Sequence, residues 1–248
     1  MTQNSLPKLT YSSTHDLLIE LLQRELGSPA AGLKLLDIPC GSGSLALRMG
    51  EVGFQVQCAD IDSGNFQARD LPFALADLNR ALPFADQSFD AVVSIAGLQR
   101  VCFAQVAVAE FYRILKPGGV LFLGVTHHAS IKSRIRFLLY GTFPEVDQPS
   151  FHQTLAAPEA NFRFPLTYVR VEHLLRKQGF RLEQTHCDCC RGGFFWAAMP
   201  VSLLARLAAG LKSLGARDSI YRRASSLRML RAKAYIICAR SNSPKRTG

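Results

Sequence analysis

Apolar residues follow two rhythms that take turns along the chain. Short, nearly unbroken apolar runs fall at 33–38 (LKLLDI), 89–96 (FDAVVSIA) and 120–125 (VLFLGV). Briefer or alternating ones fall at 54–59, 73–76, 180–187 and 232–239. Between them, residues 14–26, 44–52, 103–115 and 167–178 carry apolar side chains at helical spacing. Gly27, Gly53 and Gly179 stand where three of these helices should stop, and KPGG at 116–119 breaks the fourth. Unbroken apolar strands suit a sheet covered on both faces. Strands alternating with helices at this spacing predict an α/β, doubly wound, mostly parallel sheet of seven strands with helices on both faces.

The pattern shows no repeat and no low-complexity linker, so a single domain over 1–248 is expected. Two long insertions interrupt it, 127–166 before the sixth strand and 191–230 before the seventh. Long connections at the ligand edge of such a sheet form substrate walls and lids.

Composition narrows the class. With 248 residues, 48% of them hydrophobic, the chain can bury one good-sized core. No run reaches the roughly 18 apolar residues that a membrane span needs. The first residues, MTQNSLPKLTYSSTHDLL, lack the basic-then-apolar pattern of a secretory signal. Seven cysteines, an odd number placed mostly in apolar runs, suit reduced thiols, and a cytoplasmic protein is expected.

Charge is unevenly placed. The chain has 29 Lys and Arg against 19 Asp and Glu, yet residues 201–248 hold 11 of the bases and only one acid, Asp218. The excess therefore belongs to one region, which implies a surface with a dedicated partner rather than general polyanion binding.

Chemistry concentrates where strands end. Asp37 closes the first strand and is followed by Pro39, Gly41 and Gly43; Asp60 closes the second and Asp77 the third. In a doubly wound sheet, ligands lie beyond the carboxyl ends of the strands. Glycines there let backbone turn tightly and approach a ligand. A carboxylate about twenty residues past the loop can accept both hydroxyl protons of a ribose. A nicotinamide site wants Gly-x-Gly-x-x-Gly, whereas this loop reads Gly41-Ser42-Gly43-Ser44-Leu45-Ala46. A nucleoside without a diphosphate fits better.

LLDIPCGSG, CADID, ALADLNRALPFADQSFDAVVSIAGL and EFYRILKPGGVLFLGV together resemble the class I S-adenosylmethionine-dependent methyltransferases, with their Rossmann-like sheet. The resemblance runs from about residue 14 to 186 and resumes near 232–240. It implies S-adenosylmethionine as cofactor. Gly41 and Gly43 would lie against its methionine part, with Asp37 near the amino group. Asp60 would hold the ribose, Ile61 would pack on the adenine, and Asp77 with Leu78 would meet the adenine amino group. Ile95 and Ala96 would line the methyl-bearing side. Pro39 replaces a loop glycine common in the family, and AGLQRV follows the fourth strand where relatives carry an acid and a histidine.

The implied reaction, in-line attack on a sulfonium methyl, needs alignment and water exclusion more than a base. His127 and His128 follow the fifth strand and are the candidate bases, capping or loop positioning being the alternative. Arg100 and Tyr140 are the candidate substrate-side residues. Phe137–Tyr140 beside Lys132, Arg134 and Arg136 would suit an amphipathic or acidic acceptor, or form a helix with one buried face. Glu110 and Arg113 read as a helix-surface pair. CDCC at 187–190 has no second ligand cluster, and no metal is expected.

Residues 194–214, an apolar stripe led by Phe194, Phe195 and Trp196, suit either peripheral membrane contact or a cover helix or dimer face. The expected activity is methyl transfer to a small organic acceptor, lipid- or saccharide-linked. An RNA or protein methyltransferase, or a cofactor-binding regulator without turnover, is the alternative. No nucleic-acid-reading module is visible.

Overall fold

The computed structural model describes residues 12–27, 32–142, 164–189, 200, 203, 224 and 226–242. Seven strands form one sheet: β1 (Lys34–Asp37), β2 (Gln55–Asp60), β3 (Phe73–Leu75), β4 (Phe89–Ile95), β5 (Leu115–Thr126), β6 (Phe180–Cys189) and β7 (Ala232–Ser241). The helices are α1 (Ser12–Leu26), α2 (Ser44–Glu51), α3 (Ala104–Ile114), α4 (Ile131–Tyr140), α5 (Tyr168–Gln178) and α6 (Leu227–Arg231). Strand order is β3-β2-β1-β4-β5-β7-β6. The first five strands in that order run parallel, and β7 lies antiparallel between β5 and β6.

Both faces are covered, which is why the central strands β1, β4 and β5 carry nearly unbroken apolar runs. Leu35, Val93, Phe122 and Ile236 pack with Leu18, Leu22 and Met49 of α1 and α2. Their neighbours Leu36, Val92, Leu121 and Ile237 pack on the other side with Phe111 of α3 and Leu175 of α5. Truncating any of these buried leucines to alanine would cost about 2–5 kcal/mol.

KPGG does not separate α3 from a later strand. It bulges within β5: Phe89 pairs with Leu115 and Ala91 with Val120, so two steps along β4 match five along β5. The 82–88 segment preceding β4 is pinned from α3. Arg113 donates to the carbonyls of Leu82 and Phe84 and to Asp86, while Glu110 accepts the Leu82 amide at 2.7 Å. The pair expected on a helix surface is thus a clamp on a connection without regular structure.

Because β7 opposes β5 and β6, the end of β6 and the start of β7 share an edge with the carboxyl ends of β1–β5. The 191–230 insertion therefore leaves and re-enters at that edge, the same one from which 127–166 departs at the end of β5.

Candidate functional site

The site starts from β1. Its last residue, Asp37, is only 1% exposed, and the next backbone amide, that of Ile38, donates to the Val93 carbonyl of β4 at 2.9 Å. The loop then turns back: the Cys40 amide reaches the Ala59 carbonyl at 3.0 Å, and Gly41 takes a left-handed φ of 54°. That conformation strains any residue with a Cβ. It aims the Gly41 amide at Asp60 Oδ2, 2.8 Å away, while Asp60 Oδ1 accepts the Asp62 amide at 3.1 Å. Both oxygens of Asp60 thus receive backbone donors, and a carboxylate so held retains acceptor capacity.

A cleft of about 1140 Å³, open mouth included, lies over these strand ends. Asp37, Pro39, Gly41, Asp60, Ile61, Asp77, Leu78, Ile95 and Ala96 line it, and so does Arg100. Ala96 closes β4 with φ 57°, rare for a residue with a side chain, while its amide bonds the Gly124 carbonyl at 2.8 Å.

The cleft is acidic in character. Burial, and then the charge of Asp60, push the Asp37 carboxyl well above the usual range. Burial also raises Asp60, against the amides of Gly41, Asp62 and Ile61 that favour its charged form. Asp37 Oδ2 is buried without a hydrogen-bond partner. A ligand bringing a cation would satisfy that oxygen and relieve both carboxylates. Asp77 is more committed: its Oδ1 accepts both the amide and the side-chain nitrogen of Asn79. Asn79 Oδ1 in turn accepts the Cys102 amide at 2.8 Å, tying the β3 end to the segment after β4.

Several expected residues lie elsewhere. Gly43 is outside the lining. A Cβ on it would meet Ala68 Cβ at 2.5 Å and Phe66 Cε2 at 2.9 Å, so its glycine serves packing against 66–68. His127 and His128 are buried away from the cleft. Strand alternation puts His127 on the face of Leu123 and Val125, where its ring meets Tyr235 edge-on at 5.5 Å. Burial first, then Arg134 and His128, push its pKa down to about 4. Tyr140 sits at the far end of α4, 72% exposed and off the cleft.

Other lining residues escaped the sequence reading, His15 of α1, Cys40 and Asn79 among them. Asp77-x-Asn79 is an Asx-turn pattern that could have drawn attention to Asn79. No sequence signal places His15, whose position depends on how α1 packs. Cys187 to Cys189 continue β6, while Cys190, Phe194, Phe195 and Trp196 lie outside the described residues.

A family model described as a methyltransferase domain matches residues 36–123. The ubiquinone/menaquinone biosynthesis C-methyltransferase of Chromobacterium violaceum is 42% identical over 106 residues, which cover 38% of this chain and 43% of that protein. The demethylmenaquinone methyltransferase of Renibacterium salmoninarum is 35% identical over 102 residues, covering 39% and 43%. The chain thus spans less than half the length of either relative. Among solved structures, a putative methyltransferase from Bacillus halodurans superposes with a TM-score of 0.60 at 17% identity, covering 94% of this chain and 100% of that one. The [4+2]-cyclase SpnF gives 0.56 at 17% identity, covering 96% and 85%. A shared fold therefore does not dictate the reaction.

Proposed function

We propose that this chain, whose residues 36–123 belong to the class I S-adenosylmethionine-dependent methyltransferases, transfers a methyl group to a small, lipid-linked organic acceptor. The observation that carries the reading is the Asp37–Asp60 corner: two buried carboxylates, one with an oxygen lacking a partner, beside a left-handed glycine turn. An ammonium group next to a ribose diol matches that corner in both charge and hydrogen bonding. S-adenosylmethionine has both, and when bound it supplies a methyl activated by a sulfonium.

In this reading Asp37 faces the ammonium and Asp60 accepts from the ribose hydroxyls with the capacity its backbone donors leave. Ile61 and Leu78 flank the adenine with apolar surface. Asp77 would meet the adenine amino group through Oδ2, the oxygen that also faces Arg80 Nε at 3.5 Å, its Oδ1 being committed to Asn79. Ile95 and Ala96 border the reacting side, and Arg100 stands on that border as an anchor for an acidic or carbonyl acceptor. Alignment and exclusion of water are the protein's main contribution.

The acceptor class follows from the relatives, whose names place them in ubiquinone and menaquinone biosynthesis. A cytoplasmic protein touching membranes through 194–214 would meet such a molecule. Of that stripe the structure describes Pro200 and Leu203, and both are exposed.

Two measurements test the reading. Calorimetric titration with S-adenosylhomocysteine should show saturable binding to one site. Labelled S-adenosylmethionine should then pass its methyl to demethylmenaquinone, offered reduced and oxidised. Binding without transfer to any lipid extract would leave a regulator, and absence of binding would overturn the reading altogether.

A further inference from the structure

The outer half of α4 carries four consecutive large hydrophobic side chains that are exposed, Phe137 to Tyr140. The helix is anchored at its start: Ile131 and Ser133 are buried, and Ser130 caps it by accepting the Ser133 amide at 3.3 Å. Arg134 Nε donates to the Ala129 carbonyl, and from Ile135 onward the apolar side chains of α4 are exposed, most of all at its end. Leu138 is 84% exposed, Leu139 66% and Tyr140 72%, and Gly141 then ends the helix in the left-handed region. The expectation of one buried face therefore holds for the first turn alone.

The directions of these side chains decide what could cover them. Successive helix positions are about 100° apart, so three consecutive residues point to three sides of the last turn. A protein partner covers one stripe of a helix, as a groove or a second helix does. Apolar groups exposed all round a helix end call for a medium that closes around it. Tyrosine is moreover a side chain suited to the boundary between water and acyl chains.

Charge gives the second argument. α4 has no acidic residue, and Lys132 and Arg136 are exposed on it with no acid paired to them among the described residues. Both lie nearer the body of the protein than the apolar tip. A ten-residue helix is about 15 Å long, too short to cross a bilayer but long enough to dip into one leaflet.

We propose that the end of α4 is a membrane-docking tip, with Leu138, Leu139 and Tyr140 entering an anionic lipid surface and Lys132 and Arg136 holding its headgroups. α4 follows β5, so it rises from the sheet edge that bears the cleft, and docking there brings the cleft's border to the lipid boundary. The surface argument stands without the methyl-transfer reading.

The test is co-sedimentation of the full chain with phosphatidylcholine vesicles, with and without phosphatidylglycerol. Wild type should sediment with the phosphatidylglycerol vesicles, less so at raised salt. Leu138→Asp with Leu139→Asp should weaken that association at least about tenfold. Lys132→Gln with Arg136→Gln should weaken it about tenfold on phosphatidylglycerol vesicles and leave pure phosphatidylcholine unaffected. Both variants replace exposed side chains and should keep the melting temperature and S-adenosylhomocysteine affinity of wild type. Wild type that stays in solution, or an aspartate variant that sediments like wild type, overturns the proposal. So does a wild-type dimer in light scattering that the aspartate variant converts to monomer without vesicle binding in either, since a second copy would then cover the tip. Failure to bind S-adenosylhomocysteine would refute the methyl-transfer reading and leave the vesicle result intact.

Discussion

The carboxylate of Asp60, at the end of β2, holds the amide of Gly41, in the loop after β1, at 2.8 Å. One side chain thus shapes the loop and lines the cleft. Asp60→Ala should accordingly weaken S-adenosylhomocysteine binding by at least about tenfold, roughly 1.4 kcal/mol. Calorimetry returning the wild-type affinity would refute the assignment.

Asp37 should show opposite effects on folding and binding. Its folded carboxyl lies above the ordinary 3.8, so its contribution to stability is full below that value and is lost as pH rises through the folded one. At neutral pH, Asp37→Asn should raise the melting temperature of the free protein by a few degrees, about 1 kcal/mol for a chain of this size. The gain should vanish in acid, and affinity for S-adenosylhomocysteine should fall. Scanning calorimetry across pH, with and without the ligand, checks both.

His127 titrates in the other direction. Its folded value of about 4 lies below the ordinary 6.5, so the advantage of its neutral ring is present above 6.5 and lost as pH falls through 4. In urea unfolding, wild type should lose up to about 3 kcal/mol more than His127→Phe across that interval. Turnover of His127→Phe should keep the wild-type pH profile, since the ring does not border the cleft. A missing acid limb in that variant would restore the ring as a base.

Gly97 separates two loops of the site. A Cβ there would lie 2.4 Å from Pro39 Cδ. Gly97→Ala should cost about 1–3 kcal/mol of stability through overpacking. It should also weaken ligand binding, because Pro39 lines the cleft. Unchanged melting and affinity together would show that Pro39 yields freely.

Much of this was readable in the chain because the physics was local. Leu35 and Leu36 are both apolar since each meets a different helical layer, and such runs identify parallel strands. Asp37, Asp60 and Asp77 were visible as acids at strand ends, and the structure brings all three to one cleft. What escaped depended on direction rather than position. His127 is the second residue after Val125, and strand alternation turned it toward Tyr235 instead of the cleft. Tyr140 was expected at the substrate side, but α4 carries it outward. Gly43 looked like a ligand glycine because its clash partners, Phe66 and Ala68, lie more than twenty positions away. His15 reaches the cleft through packing of α1 that no short motif encodes.

Reversal of the final strand has an evolutionary consequence. With β7 running against its neighbours, the second large insertion departs from the same border as the first. Gene copies of such a chain could acquire new specificities by editing that border alone, while the hydrogen-bonded ladder and the carboxylates beneath it pass unchanged to every descendant.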